Sequence, residues 1–222
     1  MEFEAFQKIP RLSRECVITE KLDGTNASVY ISDDGLTFLA GSRTRWITPE
    51  DDNYGFARWA QENKEELLKL GPGHHFGEWW GAGCQRGYGL PKGEKRFSLF
   101  NTHRWSDAAG VRPACCHVVP VLHQGPFTTY FVTGALSRLE ADGSVAAPGF
   151  MDPEGVIVFH SASGTLFKKT IKGDEEGKHA EAHPPKPKVP RPPKDPSKGG
   201  RRVAQLPFDG QDKRKAAVAV AE

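Results

Sequence analysis

Over residues 27–32 apolar and polar side chains alternate one by one, Ala27, Val29 and Ile31 against Ser28, Tyr30 and Ser32. A period of two sends successive side chains to opposite faces, so this run is a half-buried strand. Asp33-Asp34-Gly35 then turns the chain back into residues 36–40, which makes a hairpin. The same reading gives a short strand at residues 16–19, extended chain at 75–80, and strands at 97–100, 118–122, 155–159 and 165–168. Two helices interrupt them. Residues 54–70 place Phe56, Trp59, Ala60, Asn63 and Leu67 near one face and stop at Gly71-Pro72-Gly73, and residues 128–140 start from Thr128 as N-cap. Strands outnumber helices and connections are short, so the expected class is α+β with antiparallel sheet rather than alternating βαβ.

Composition matters at the far end. After Ile171, Pro, Lys, Gly and Asp take over, and too little apolar surface is left to offset the entropy of ordering. The expectation is one folded domain over 1–171 and a flexible Pro/Lys/Arg-rich tail over 172–222. The 222-residue chain has a net charge of only +2, which by itself does not mark a nucleic-acid binder. Residues 184–202, however, hold seven Lys/Arg against one Asp, about +6, leaving about −4 for the rest. The four cysteines, Cys16, Cys84, Cys115 and Cys116, show no C-x-x-C spacing and read as reduced packing residues. His74-His75, His103, His117 and His123 lack the H-x-x-x-H spacing of a metal site. No basic-then-apolar leader and no membrane-length apolar run is present, so a soluble cytoplasmic protein is expected.

Between the first two strands lies Glu20-Lys21-Leu22-Asp23-Gly24-Thr25-Asn26. Asp-Gly alone is an ordinary hairpin signal, and a lone lysine beside it is usually a surface residue. Five further features downstream change that: Ser42-Arg43 after the hairpin, Glu78 in Phe76-Gly77-Glu78, an aromatic-ended strand with Phe97 and Phe100, Glu154 opening an apolar strand, and Lys168-Lys169 in the last one. Each is weak singly. Together they fit one chemistry, in which a lysine amine attacks the α-phosphorus of a nucleoside triphosphate and expels pyrophosphate. Such an attack needs an uncharged amine, fixed positive charge on the phosphates, and Mg²⁺ held by a carboxylate and phosphate oxygens.

The order Lys, Arg, Glu, Phe, Glu, Lys resembles the covalent nucleotidyltransferase superfamily of ligases and capping enzymes. Glu20-Lys21-x-x-Gly24-Thr25-Asn26, Gly41-Ser42-Arg43 and Phe76-Gly77-Glu78 look most like the phage-type ATP-dependent RNA ligases, in their nick-sealing branch. The resemblance covers roughly residues 20–170. It implies a single nucleotidyltransferase (adenylation) domain with antiparallel sheets flanking a nucleotide cleft, ATP and Mg²⁺ (or Mn²⁺) as cofactors, and RNA with 5′-phosphate and 3′-hydroxyl ends as substrate. A phage-encoded protein would act in RNA repair in the host cytoplasm. By the same resemblance Lys21 is the nucleophile, Arg43 and Lys168 contact phosphate, and Glu78 holds the ribose. Phe100 stacks on adenine with Phe97 as the fallback, Glu154 supports the metal, and Glu20 and Asn26 flank the nucleophile.

Two departures stand out. The family spaces its last two lysines one residue apart, whereas Lys168 and Lys169 are adjacent and Thr170 takes the second place. Either Lys169 substitutes or one phosphate contact is lost. Nothing after Ile171 reads as the family's folded C-terminal domain, which a partner could supply. The alternatives are a DNA ligase or capping guanylyltransferase of the same superfamily, or a non-catalytic nucleic-acid-binding module.

Overall fold

The computed structural model describes residues 2–106, 110 and 112–173. In chain order the strands are β1 (Glu15–Lys21), β2 (Thr25–Ile31), β3 (Phe38–Ser42), β4 (Trp46–Ile47), β5 (Gly73–Gly81), β6 (Lys95–Leu99), β7 (Cys116–Val118), β8 (Val121–Pro126), β9 (Gly155–His160) and β10 (Thr165–Thr170). The helices are α1 (Phe56–Glu62), α2 (Lys64–Leu67) and α3 (Thr129–Asp142).

The strands build two sheets. One has four antiparallel strands in the order β10-β9-β1-β8, and the other has six in the order β4-β3-β2-β5-β6-β7. The expected β2–β3 hairpin is present, with Val29 opposite Ala40. All other pairs are antiparallel except β6–β7, which is parallel. β1 and β2 do not pair with each other, so Asp23-Gly24 is not a hairpin turn. It is the place where the chain leaves one sheet and enters the other.

Strand alternation decides what each sheet buries. Ala27, Val29 and Ile31 of β2, Trp79 of β5, and Phe97 and Leu99 of β6 share one face, packed under Phe56, Ala60, Leu67 and Leu70. Within this core the rings of Phe56 and Phe97 lie 5.0 Å apart. Cys16 and Ile18 of β1 and Val156 and Val158 of β9 pack against Ala135 and Leu139 of α3. Thr128 caps α3 as expected, its Oγ1 accepting from the Phe131 N–H at 3.3 Å.

Two expected elements are split. The helix expected over 54–70 breaks at Asn63 (φ −105°, ψ 17°), whose Nδ2 donates to the Trp59 carbonyl at 2.9 Å, and it ends in a 3₁₀ turn, Leu68–Leu70. A side chain that hydrogen-bonds its own backbone competes with the helix there. The strand expected over 118–122 is two strands in different sheets. The chain changes sheets at Val119-Pro120, where proline has no N–H to give to a ladder. The four cysteines form no disulfide. No described helix is long and apolar enough to cross a membrane. The segment expected as a tail begins at residue 172, and residues 174–222 lie outside the described residues.

Candidate active site

Lys21 is the last residue of β1, at the seam where the chain passes between the sheets. Alternation along β1 sends Cys16, Ile18 and Glu20 toward α3, so Lys21 belongs to the opposite face. Its Nζ donates to Glu154 Oε2 at 2.5 Å, with side chains 22% and 18% exposed, open enough for a ligand to reach. Glu154 stands just before β9, whose first residue, Gly155, is the Cα partner of Lys21. Gly155 has φ +149°, and a Cβ there would lie 2.3 Å from the Lys169 carbonyl oxygen. Only glycine lets β9 begin so close to β10, and that start sets Glu154 against Lys21.

Glu78 comes from the other sheet. It is the register partner of Asn26, whose Nδ2 donates to Oε2 at 2.9 Å, while the Gly24 N–H donates to Oε1 at 3.1 Å. Gly24 lies flat on β5, where a Cβ would meet the Trp79 carbonyl oxygen at 2.3 Å. The side chain of Glu78 is buried, and burial pushes its pKa up to about 7. The Gly24 N–H, the Lys21 charge and the Asn26 amide pull it back down, and the Glu154 charge adds to the rise. One lysine and two carboxylates therefore sit within electrostatic reach of one another across the seam.

A second tier holds the turn in place. The Asp23 N–H donates to the Tyr88 hydroxyl at 2.7 Å. Arg86 Nε donates to Asp23 Oδ2 at 2.8 Å, and its Nη1 donates to both Asp152 O and Oδ2 at 2.8 Å. Lys172 Nζ closes the chain of charges on Asp152 Oδ1 at 2.7 Å. Sequence reasoning does not single out Arg86, Tyr88 or Asp152. Their one signal is the glycine density of residues 81–89, which marks a tight segment folding back on the seam.

The remaining predicted residues divide by strand parity. Lys168 sits opposite Ile157, which sits opposite Thr19, so it shares the face of Lys21. Thr170 shares that face too, one row closer, through Gly155. Lys169 is in the row of Val156 and Glu20 and so lies on the α3 side. Its placement does not support it as a replacement for the second lysine. Glu20 is not in the site either. It is 1% exposed, and its carboxylate accepts from Ser144 Oγ at 2.5 Å and from the Val145 and Ala146 N–H groups at 2.9 and 3.0 Å. Its burial raises its pKa, and it anchors residues 144–146 rather than a ligand.

Phe97 is fully buried in the core beneath the six-stranded sheet and cannot offer its ring to a ligand. Phe100, just past β6, packs part-buried beside Leu22, Trp80 and Tyr88 at the seam. Arg43 comes directly after β3 and is exposed; the Ala27–Ser42 register, carried one step further, sets it level with Asn26. Among the described residues no group of three or more His, Cys, Asp or Glu could hold a metal ion by itself. Glu154 is the carboxylate beside Lys21 that can offer oxygen to a cation sharing its other ligands with a phosphate.

A family model described as RNA ligase matches residues 14–175. Comparison with curated proteins returned no match. Among solved structures, an apo mutant of Naegleria gruberi RNA ligase is 21% identical, covering 71% of this chain and 50% of its own, with a TM-score of 0.54. A mutant of the same enzyme with AMP and Mn is 20% identical over 72% and 50%, at 0.55. Another with ATP and Mn is 20% identical over 72% and 50%, at 0.54. These likenesses are of fold, and the chain spans about half the length of those relatives.

Proposed function

The chain belongs to the RNA ligase family, and from that membership we propose an ATP-dependent RNA ligase that works through a covalent lysine–AMP intermediate on Lys21. The seam between the sheets is read as the nucleotide cleft. Lys21 Nζ attacks the α-phosphorus of ATP, the bond from that phosphorus to the β-phosphate oxygen breaks, and pyrophosphate leaves. The attack needs an uncharged amine, its proton given up to solvent, and Glu154 Oε2, 2.5 Å from Nζ, orients it. An RNA 5′-phosphate oxygen then takes the AMP from lysine, and a 3′-hydroxyl oxygen displaces AMP to make the phosphodiester.

In this reading Glu78, held by Gly24 and Asn26, receives the ribose hydroxyls, and Phe100 offers its ring to adenine. Lys168 and Arg43 provide positive charge for the phosphates. Glu154 would also hold Mg²⁺ or Mn²⁺, and the bound metal supplies charge against the phosphate oxygens. Relatives solved with AMP or ATP and Mn support this choice of nucleotide and metal. Residues 1–171 are read as the adenylation domain.

The observation that carries it is the Lys21–Glu154 contact beside a Glu78 carboxylate fixed by the turn just after Lys21. Incubation with α-labelled ATP or GTP and Mg²⁺ tests it. Covalent label from ATP, abolished by Lys21→Ala, is expected. Label from GTP alone would replace ligation with a capping chemistry, and no label at all would leave only a binding role.

A further inference from the structure

The face of the six-stranded sheet opposite its hydrophobic core is aromatic where a solvent-facing sheet is ordinarily polar. Tyr30 of β2, Trp46 of β4, and His74 and Phe76 of β5 stand together on it. The Trp46 and His74 rings are 5.4 Å apart and tilted by 31°, and those of His74 and Phe76 are 4.1 Å apart and tilted by 34°. Tyr30 borders both Trp46 and His74, each at 6.0 Å. The group is built, not loose. His74 Nε2 is 2.9 Å from Ser28 Oγ, and the Trp46 ring lies so close over Gly41 that a Cβ there would meet it at 3.2 Å. Yet Trp46 is 48% exposed and His74 is exposed as well.

Position and charge select the occupant. Phe76 lies two residues before Glu78 on the same strand face, roughly 7 Å away along the strand. The aromatic row thus starts at the edge of the site and runs away from Lys21. Arg43, in the turn between β3 and β4 that carries Trp46, is exposed and has no side-chain partner among the described residues. Arg45, in the same turn, is already neutralised by Asp51 at 2.6 Å. Trp46 and His74 are exposed and Tyr30 and Phe76 half-buried. The Trp46–His74 and His74–Phe76 pairs are tilted by 31° and 34°, and Tyr30 stands edge-on to His74. The row therefore offers ring surface to the bases of an unpaired RNA strand, with Arg43, read above as a phosphate contact, at the end of the row nearest the site. The row is continuous with the face that carries Glu78 and Asn26, so whatever lies on it also reaches the proposed ligation site, which favours the RNA substrate over a protein partner.

Resting on the RNA-ligase reading above, we propose that Tyr30, Trp46, His74 and Phe76 form a stacking platform for unpaired bases of the RNA, next to the end that receives AMP. It adds affinity for single-stranded RNA without sequence preference, because every base has a π-face.

The test uses the full chain and a 5′-phosphorylated single-stranded RNA of about 12 nucleotides, within the usual site size for such binding, together with the same RNA made abasic. Trp46→Ala is expected to weaken binding of the normal RNA roughly tenfold, Tyr30→Ala to weaken it less, and Trp46→Phe to restore it. Abasic RNA should bind the wild type at least as weakly as normal RNA binds Trp46→Ala, because it loses stacking on all four rings, and Trp46→Ala should not weaken its binding further. Covalent labelling by ATP should be the same in all of them. Unchanged RNA affinity in Trp46→Ala, or equal affinity for abasic and normal RNA, would overturn the proposal. So would loss of ATP labelling in Trp46→Ala, since the platform would then hold the nucleotide. Absence of label in the wild type would overturn the ligase reading instead, and the abasic comparison would still decide this one.

Discussion

Glu78 is a carboxylate 8% exposed, bonded to a backbone N–H and an amide, and held at a pKa of about 7 chiefly by burial. Between the ordinary carboxylate value of 4.5 and about 7, the folded protein binds more protons here than the unfolded chain does. Stability from this group is therefore complete below the unfolded value and is lost as pH rises through the folded one, by about 3 kcal/mol in total. Burial of His74, which lowers its pKa to about 4, opposes this trend over part of the range and is common to wild type and Glu78→Gln, so the test is the difference between the two. The stability of the wild type relative to Glu78→Gln, from denaturant midpoints, should fall as pH rises from 4.5 to about 7. A difference that stays constant with pH would place the titrating group elsewhere. The same burial suits a ribose contact, because a carboxylate denied water is free to exchange its bonds for those of a ligand. Glu20, one residue from Lys21, illustrates the opposite case. Three donors already occupy its oxygens, so it stabilises the neighbouring turn and has nothing left for a nucleotide.

At the scale of the element, strand parity sorts the last two lysines. Adjacent residues in β10 cannot face the same way, so Lys168 joins Lys21 and Lys169 goes to the α3 side. Lys168→Ala should reduce the rate of covalent labelling by ATP roughly a hundredfold or more, the usual scale for losing one charge-stabilising group. Lys169→Ala should change it little; equal losses in the two variants would mean β10 does not keep this register in solution. The same parity gives Thr170 the place nearer Lys21, where it offers a hydroxyl and no charge. A second element-scale feature is the crossing from β1 to β2. Gly24 can pass over the Trp79 carbonyl only because it lacks a Cβ, and its N–H consequently meets Glu78. Turn and carboxylate are positioned by one close approach.

For the whole molecule, the two sheets matter because the site belongs to neither alone: Lys21 and Glu154 come from one, Glu78 and Asn26 from the other. The concentration of about +6 in residues 184–202 also acts at this scale, as charge added to an otherwise slightly acidic chain. A variant lacking residues 174–222 should bind single-stranded RNA more weakly at low salt and equally at high salt, with a shallower dependence on log salt and unaltered ATP labelling. Affinity unaffected at low salt would remove the basic segment from RNA binding. Local order in the sequence was enough to give most of the strands, the β2–β3 hairpin and the Thr128 cap, because alternation and turn chemistry act over a few residues; the candidates Lys21, Glu78 and Glu154 rested instead on the order of motifs along the chain and the family it resembles. It did not reveal that β1 and β2 part into separate sheets, that residues 118–122 divide between them, or that Arg86 and Asp152 brace the turn. Those depend on contacts between residues far apart in the chain. The faces to which Glu20, Phe97 and Lys169 turn can be read from parity only after register and the buried side of each sheet are known, and packing alone fixes those.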